Sequence, residues 1–140
     1  MSAADRARVR SELAGFISAA AEEARILREC PKPEEGFLTL HLRKYILSKY
    51  MLPEDSTESD SIAELTALSL ARMMQVAPDL VSELDTARSC AGATSATVKK
   101  ALLFQAMERE LRIELPAHLA VRAEDVPALA RLVQRCMTAG

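Results

Sequence analysis

The chain has 140 residues, of which 49% are hydrophobic and only 4% aromatic, and its formal net charge at pH 7 is −2. This length suits a domain with a real core, and the near-neutral charge without a basic stripe argues against nucleic-acid binding. Four glycines and no tryptophan argue against an all-β sandwich, so we expect an all-α protein with an interior of Leu, Ala, Val and Met.

The three cysteines, Cys30, Cys90 and Cys136, are odd in number, widely spaced and without a CxxC pair. This usage is typical of reduced thiols and not of a disulfide framework. The N-terminal residues are charged without the apolar run of a signal peptide, and no stretch approaches the ~18 apolar residues of a membrane span. We therefore expect a cytoplasmic protein with no membrane span.

Apolar residues recur at steps of three and four over residues 4–29, which predicts a long first helix. Pro31 and Pro33 end it, because proline lacks an N–H and restricts the residue before it. The expected buried seam comprises Val9, Leu13, Phe16, Ile17, Ala20, Ala24 and Leu27.

Residues 34–52 form a second apolar-rich segment that we predict to be helical, although the alternation over residues 38–42 leaves a strand as the alternative. Its expected buried face is Leu38, Leu42, Tyr45, Ile46 and Leu52.

The acidic, hydroxyl-rich run over residues 53–60 has no large apolar side chain and is the clearest boundary in the chain. It divides an N-terminal helical extension, residues 1–55, from a second domain, residues 56–140. Ser61 and Glu64 then have capping-box spacing, which predicts a third helix to about Val76. Its expected apolar set is Ile62, Leu65, Leu68, Leu70, Met73 and Met74. A long loop is predicted over residues 77–91, with one turn of helix at 78–81 as an option.

From Cys90 to Pro116 the sequence reads CAGATSATVKKALLFQAMERELRIELP. It predicts a helix over residues 95–111, whose buried face is Val98, Ala101, Phe104, Met107 and Leu111, widened by Leu102 and Leu103. Hydroxyls precede this helix, where free N–H groups and the dipole favour an anion, although a plain N-cap is the simplest interpretation. Downstream we predict a short turn over residues 116–120 and a last helix, capped by Asp125, from Val126 to about Met137.

This region resembles the acyl carrier proteins, small four-helix carriers of fatty-acid, polyketide and related pathways. The family signature is a Gly, two residues and a Ser, here Gly92-Ala93-Thr94-Ser95, followed by a Glu-rich helix end and an I-x-I/L-P segment, here Glu108–Pro116. Residues 75–92 and 124–133 are similar to the end of the first helix and to the last helix of the family. The resemblance covers about residues 60–137 and implies an acyl-carrier-like four-helix bundle with two additional N-terminal helices.

The resemblance also implies a function, that of a specialised acyl or aminoacyl carrier and not an enzyme. Ser95 would carry a covalent 4′-phosphopantetheine arm, with Gly92 and Thr94 beside it, and the thiol of the arm would hold intermediates as thioesters. The implied partners are a phosphopantetheinyl transferase and acyl-transferring enzymes.

Several residues depart from the family pattern. Thr94 stands where the family has Asp, Ala96 stands where it has a large aliphatic residue, and the helix opens with Lys99-Lys100 instead of acids. About two extra residues follow the attachment position, which makes Thr97 the alternative hydroxyl. These departures favour the alternative function, an unmodified carrier-fold protein that acts as an interaction or scaffolding module.

Other candidate sites carry weaker signals. His41 and His118 are far apart, without a Cys or carboxylate at ligand spacing, so we expect no metal site. Cys90 lies near a helix start but lacks a base partner, which favours a structural thiol. Glu108 and Glu110 match surface acids of the family and not a catalytic pair. Three roles are open for the N-terminal helices, namely packing on the bundle, forming a homodimer, and binding a partner enzyme.

Overall fold

The computed structural model describes residues 2–76 and 95–139. Over these residues the fold is all-helical, as the composition predicts. The helices in chain order are α1 (Ala3–Arg28), α2 (Glu35–Lys49), α3 (Ile62–Val76), α4 (Ser95–Leu111), α5 (Ala117–Ala120) and α6 (Val126–Ala139). The strand alternative for residues 38–42 is wrong, because the whole segment lies inside α2. The predicted loop over residues 77–91, and its optional helical turn, lie outside the described residues.

Helix α1 begins at a capping box, in which the Asp5 N–H donates to Ser2 Oγ at 3.1 Å. Only Ala20, Ala24 and Leu27 of its predicted seam are buried, and Ile17 is 67% exposed. At ~1.5 Å per residue, the 15-residue helix α2 is too short to cover the 26 residues of α1. The fully buried part of the seam lies in the last third of α1, and Val9, Leu13 and Phe16 are half-buried.

Helix α2 packs against both α1 and α6. Its predicted face is fully buried, with Leu42 and Ile46 at 0% exposure, and Leu47, on the opposite side of the helix, is also at 0%. A helix that is apolar on opposite sides belongs in the interior of a fold. The predicted face of α2 is thus confirmed, but it describes only part of what this helix buries.

Helix α2 ends through a residue in the left-handed region of the Ramachandran plot, Met51, with φ of 58°. The Leu52 N–H donates to the carbonyl of Leu47 at 2.8 Å, which closes the last turn in the manner of a Schellman motif. Glycine is the usual residue at such a position, so this helix end is built at some conformational cost.

The starts of α3 and α6 lie side by side. The Ile62 N–H donates to the carbonyl of Glu124 at 3.0 Å, and the Val126 N–H donates to the carbonyl of Asp60 at 2.9 Å. These two bonds form an isolated antiparallel bridge between Ser61 and Asp125.

Ser61 and Asp125 are confirmed as caps of these helices, although the Ser61 N–H donates to Ser59 Oγ at 3.2 Å and not to Glu64 as in a full capping box. Ser61 Oγ accepts from the Glu64 N–H at 3.2 Å, and Asp125 Oδ1 accepts from the Ala128 N–H at 2.8 Å. The two caps and the bridge together fix where α3 and α6 enter the fold.

Helix α4 packs against α1 and α3. Phe104, Met107 and Leu111 of its predicted face are buried, but Ala101 is exposed and Leu102 is 55% exposed. Leu103, which widens the predicted face, is buried, and so is Ala106, which lies outside it. The buried face of α4 thus covers only part of the predicted stripe and excludes Ala101 and Leu102.

The buried residues form one hydrophobic cluster that includes Leu27 of α1, Leu42 of α2, Leu65 of α3, Met107 of α4 and Leu129 of α6. This core draws on both sides of the predicted boundary at residues 53–60, a segment without helix. The division into residues 1–55 and 56–140 stays a prediction.

We expect Leu42→Ala to lower the free energy of unfolding by about 2–5 kcal/mol, because it leaves a cavity at the centre of the core. Urea denaturation followed by circular dichroism measures this. Leu40→Ala on the same helix is the matched control, since Leu40 is 53% exposed and its truncation should change stability by less than about 0.5 kcal/mol. Equal losses for the two variants would contradict the burial of α2.

Candidate functional site

Ser95 is the first residue of α4, a helix of 17 residues. The side chains of Ser95 and Ala96 are half-buried, and Thr97 is exposed. Gly92 and Thr94, the other predicted site residues, and Cys90 lie outside the described residues. The structure thus places the predicted attachment hydroxyl on the first residue of α4.

The core side chains of α4 hold this helix start in position. Leu103, Met107 and Leu111 are each no more than 3% exposed, and they lie about two to four turns beyond Ser95. A hydroxyl at the start of such a helix is displayed at a defined point of the surface.

Lys99 follows Ser95 by one helical turn and therefore lies on the same side of α4. Its Nζ is 3.2 Å from the Met73 sulfur and 5.1 Å from the centre of the Tyr50 ring. Burial lowers the pKa of Lys99, because it disfavours the charged ammonium. Within residues 2–76 and 95–139, no carboxylate forms an ion pair with this lysine.

A buried polar contact fixes the Tyr50 ring beside Lys99. The Tyr50 and Thr66 hydroxyls are 2.9 Å apart, and Ser69 Oγ donates to the Tyr50 carbonyl at 2.6 Å. Burial raises the pKa of Tyr50 to about 12. The phenol therefore stays neutral over the physiological range.

Sequence reasoning missed the inward-facing hydroxyls of α3. It assigned Leu68 and Met74 to the apolar face, but these side chains are 41% and 56% exposed, while Thr66 and Ser69 are buried. One face of the helix contains Ile62, Leu65, Thr66 and Ser69, because their spacing is helical. A prediction that allowed small hydroxyl residues on the buried face would therefore have included Thr66 and Ser69.

Glu110 joins three helices near the other end of α4. Its Oε2 accepts from the Tyr45 hydroxyl at 3.1 Å and from Lys49 Nζ at 3.0 Å, and Arg28 donates to its backbone carbonyl at 3.0 Å. Burial and the Glu110 charge raise the pKa of Tyr45 well above its ordinary value. Glu110, predicted as a surface acid, is thus a half-buried structural carboxylate, with a side-chain exposure of 24%.

The remaining candidate side chains either make structural contacts or lie away from the other candidates. His41 Nδ1 is 2.6 Å from Glu23 Oε2, whereas His118 is exposed on α5. Burial raises the pKa of the half-buried Cys136 thiol. The described residues contain no group of three or more His, Cys, Asp or Glu side chains placed to hold a metal ion. None of the described helices has both the length and the apolar character that crossing a membrane requires.

We expect Glu110→Ala to lower the free energy of unfolding by about 1–3 kcal/mol, because it leaves the buried Tyr45 hydroxyl without its acceptor. Urea denaturation measures the loss. Glu114→Ala, which removes an exposed carboxylate four residues further on, is the control and should change stability by less than about 0.5 kcal/mol. If Glu110→Ala left the free energy of unfolding unchanged, this contact would be absent in solution.

We expect Lys99→Met to stabilise the protein at pH 7 by about 1 kcal/mol, at the low end of the cost of a poorly paired buried polar group. The charged lysine is disfavoured in the folded state while it is protonated in both states. This cost is lost as the pH rises through the lowered pKa of folded Lys99 towards the ordinary value of 10.5.

The advantage of Lys99→Met should therefore shrink between pH 7 and pH 10.5, as denaturation midpoints at several pH values will reveal. The neighbouring Lys100→Met is the matched control, and we expect it to change the midpoint less at pH 7. A Lys99→Met variant that is less stable than the parent at pH 7 would contradict the cost assigned to this lysine.

Comparisons with known proteins found no relative of this chain. No family model, no curated protein and no solved structure matches the chain.

Proposed function

We propose that the chain is a specialised carrier protein that holds an acyl or aminoacyl group as a thioester on a 4′-phosphopantetheine arm attached to Ser95. The observation that carries the proposal is the position of Ser95 at the first residue of a core-anchored helix, three residues after Gly92 in the chain. When bound, the group supplies a flexible thiol for acyl transfer.

Two features of the described residues fit a phosphate-linked arm at Ser95. The first turn of α4 contains no acidic residue, so no carboxylate of that turn opposes a phosphate there. The N-terminal end of a helix favours negative charge through its N–H groups and its dipole. Ala96, next to Ser95, is small and leaves room for an enzyme to approach the hydroxyl.

The order of the helices supports the acyl-carrier-like bundle that this function requires. Among the described residues, a first helix (α3), a core-anchored helix (α4), a short helix (α5) and a last helix (α6) follow one another in the chain. Helix α3 packs on α4, and α5 packs on α6. We assign these helices to the carrier bundle, with α1 and α2 as the N-terminal addition.

The charge around α4 defines the kind of partner that such a carrier would meet. Carrier proteins are usually acidic because their enzymes dock with basic patches. Here Lys99 and Lys100 follow Ser95 within two turns, and residues 61–140 contain as many basic as acidic side chains. The transferase and acyl-transferring enzymes that serve this carrier should therefore present a less basic surface to α4.

A second candidate function is an interaction or scaffolding module with the carrier fold and no prosthetic group. The packing of α2 favours it, since a helix from the N-terminal segment contacts α6 and fills the core with Leu42 and Ile46. In that case Ser95 is only the helix start, and the N-terminal helices are integral to the module.

Intact-mass measurement after co-expression with a broad-specificity phosphopantetheinyl transferase distinguishes the two functions. The carrier function predicts a mass gain of one phosphopantetheine arm, because the transferase esterifies the Ser95 hydroxyl. Ser95→Ala should abolish the gain, and Thr97→Ala, which removes the alternative hydroxyl, should keep it.

An unchanged mass in the parent protein would overturn the carrier function and favour the scaffolding module. A gain that survives Ser95→Ala and disappears in Thr97→Ala would move the attachment to Thr97. Circular dichroism of each variant ensures that the hydroxyl is removed from a folded helix.

A further inference from the structure

A cleft of about 280 Å³ lies between the end of α2 and one face of α4. Lys49 and Tyr50 form one wall. Lys99, Leu102 and Ala106 of α4 form the other, and their spacing of three and four puts them on one stripe of the helix. The cleft thus combines residues from the N-terminal segment with residues that follow Ser95.

The lining of this cleft is mixed, with an apolar part formed by Leu102, Leu103 and Ala106 and a polar side chain, Gln105, beside it. Leu102 is 55% exposed, which is high for a leucine within a packed helix, and the buried Leu103 and Ala106 continue the same surface. The Tyr50 ring faces them, with its hydroxyl bonded to Thr66 at 2.9 Å and so turned towards the core. An aliphatic chain could lie against the three apolar side chains of this lining.

The rim of the cleft is cationic. Lys49 Nζ and Arg109 Nη2 lie 3.0 Å and 3.5 Å from the same oxygen, Glu110 Oε2, and therefore share one carboxylate. Lys99 contacts a thioether and an aromatic ring and, among the described residues, no carboxylate. Three cationic side chains are thus set against one anionic side chain.

The half-buried ammonium of Lys99 is the feature that best indicates the charge of a ligand. A charge withdrawn from water is costly unless it is paired, and neither a thioether nor an aromatic ring replaces a carboxylate as a partner. A ligand that brings one negative charge into the cleft would supply the missing partner. Because lysine acts as a point charge, a single carboxylate suffices for it.

We propose that this cleft binds an aliphatic carboxylate of medium chain length. The carboxylate pairs with Lys99 Nζ, and the chain lies against Leu102, Leu103 and Ala106. The volume is at the lower limit of small-molecule sites, which favours a chain of about eight carbons over a long fatty acid. The proposal does not depend on attachment of an arm at Ser95.

Isothermal titration calorimetry of the full chain with octanoate at pH 7 tests the proposal. We expect saturable binding of one octanoate, and at least tenfold weaker binding of octanol, which lacks the charge, and of acetate, which lacks the chain. Octanol binding as tightly as octanoate, or no octanoate binding at all, would overturn the proposal.

Variants locate the site. Lys99→Met keeps an unbranched side chain without the charge and should weaken octanoate binding at least tenfold, whereas Lys100→Met should keep the affinity within about twofold. Amide shifts of Leu102 and Ala106 in NMR spectra should follow the titration. Unchanged affinity in Lys99→Met, or shifts confined to another part of the chain, would refute the assignment.

Ser95→Ala separates this site from the proposed carrier function. It should bind octanoate within about twofold of the parent while it abolishes arm attachment. Failure of the mass gain would therefore leave the octanoate result standing, and failure of octanoate binding would leave the mass gain standing.

Discussion

Burial of α2 on opposite sides is the constraint from which the rest of the architecture follows. Leu42 and Leu47 point in nearly opposite directions from the helix axis, and both are inaccessible to solvent. A single neighbouring helix cannot cover both, so α1 and α6 must each pack on α2. Because α1 also packs on α4, the position of α4, and of the hydroxyl at its start, depends on a helix from the N-terminal segment.

Polar contacts then define how the helices meet around this core. Burial of apolar surface is not directional, and it tolerates rotations of a helix that leave the same area covered. The Tyr45–Glu110 hydrogen bond and the Tyr50–Thr66 hydrogen bond are directional, and each joins α2 to another helix, α4 in the first case and α3 in the second. They fix the register of α2 against its neighbours, and the second also orients the ring beside Lys99.

Much of the fold could be predicted from the sequence, because the signals that begin and end a helix act between residues that are close in the chain. The proline stop after α1 and the caps at Ser61 and Asp125 act within a few residues, and the helix bounds they predict agree with the structure to within a residue or two.

The buried faces were harder to predict. Ala101 fits an apolar stripe and is exposed, since the burial of a helical face depends on which partners approach it, and periodicity does not contain that information. The partnership of Tyr45 with Glu110 spans 65 positions and has no local signature. The attachment site at Ser95 rests on a short motif, and the rest of that motif lies outside the described residues.

The uneven burial of α1 gives this helix a gradient of local stability along its length. Its last third is locked into the interior through Ala20, Ala24 and Leu27, whereas Ile17 is largely in water. The first turns have weaker tertiary support, from the half-buried Val9, Leu13 and Phe16, and they are closed by the Ser2–Asp5 capping box. These turns can fray and reform while the interior stays intact, so local opening at this end is independent of global unfolding. The amino-terminal turns of α1 are thus the part of this helix whose order a contacting surface would increase most.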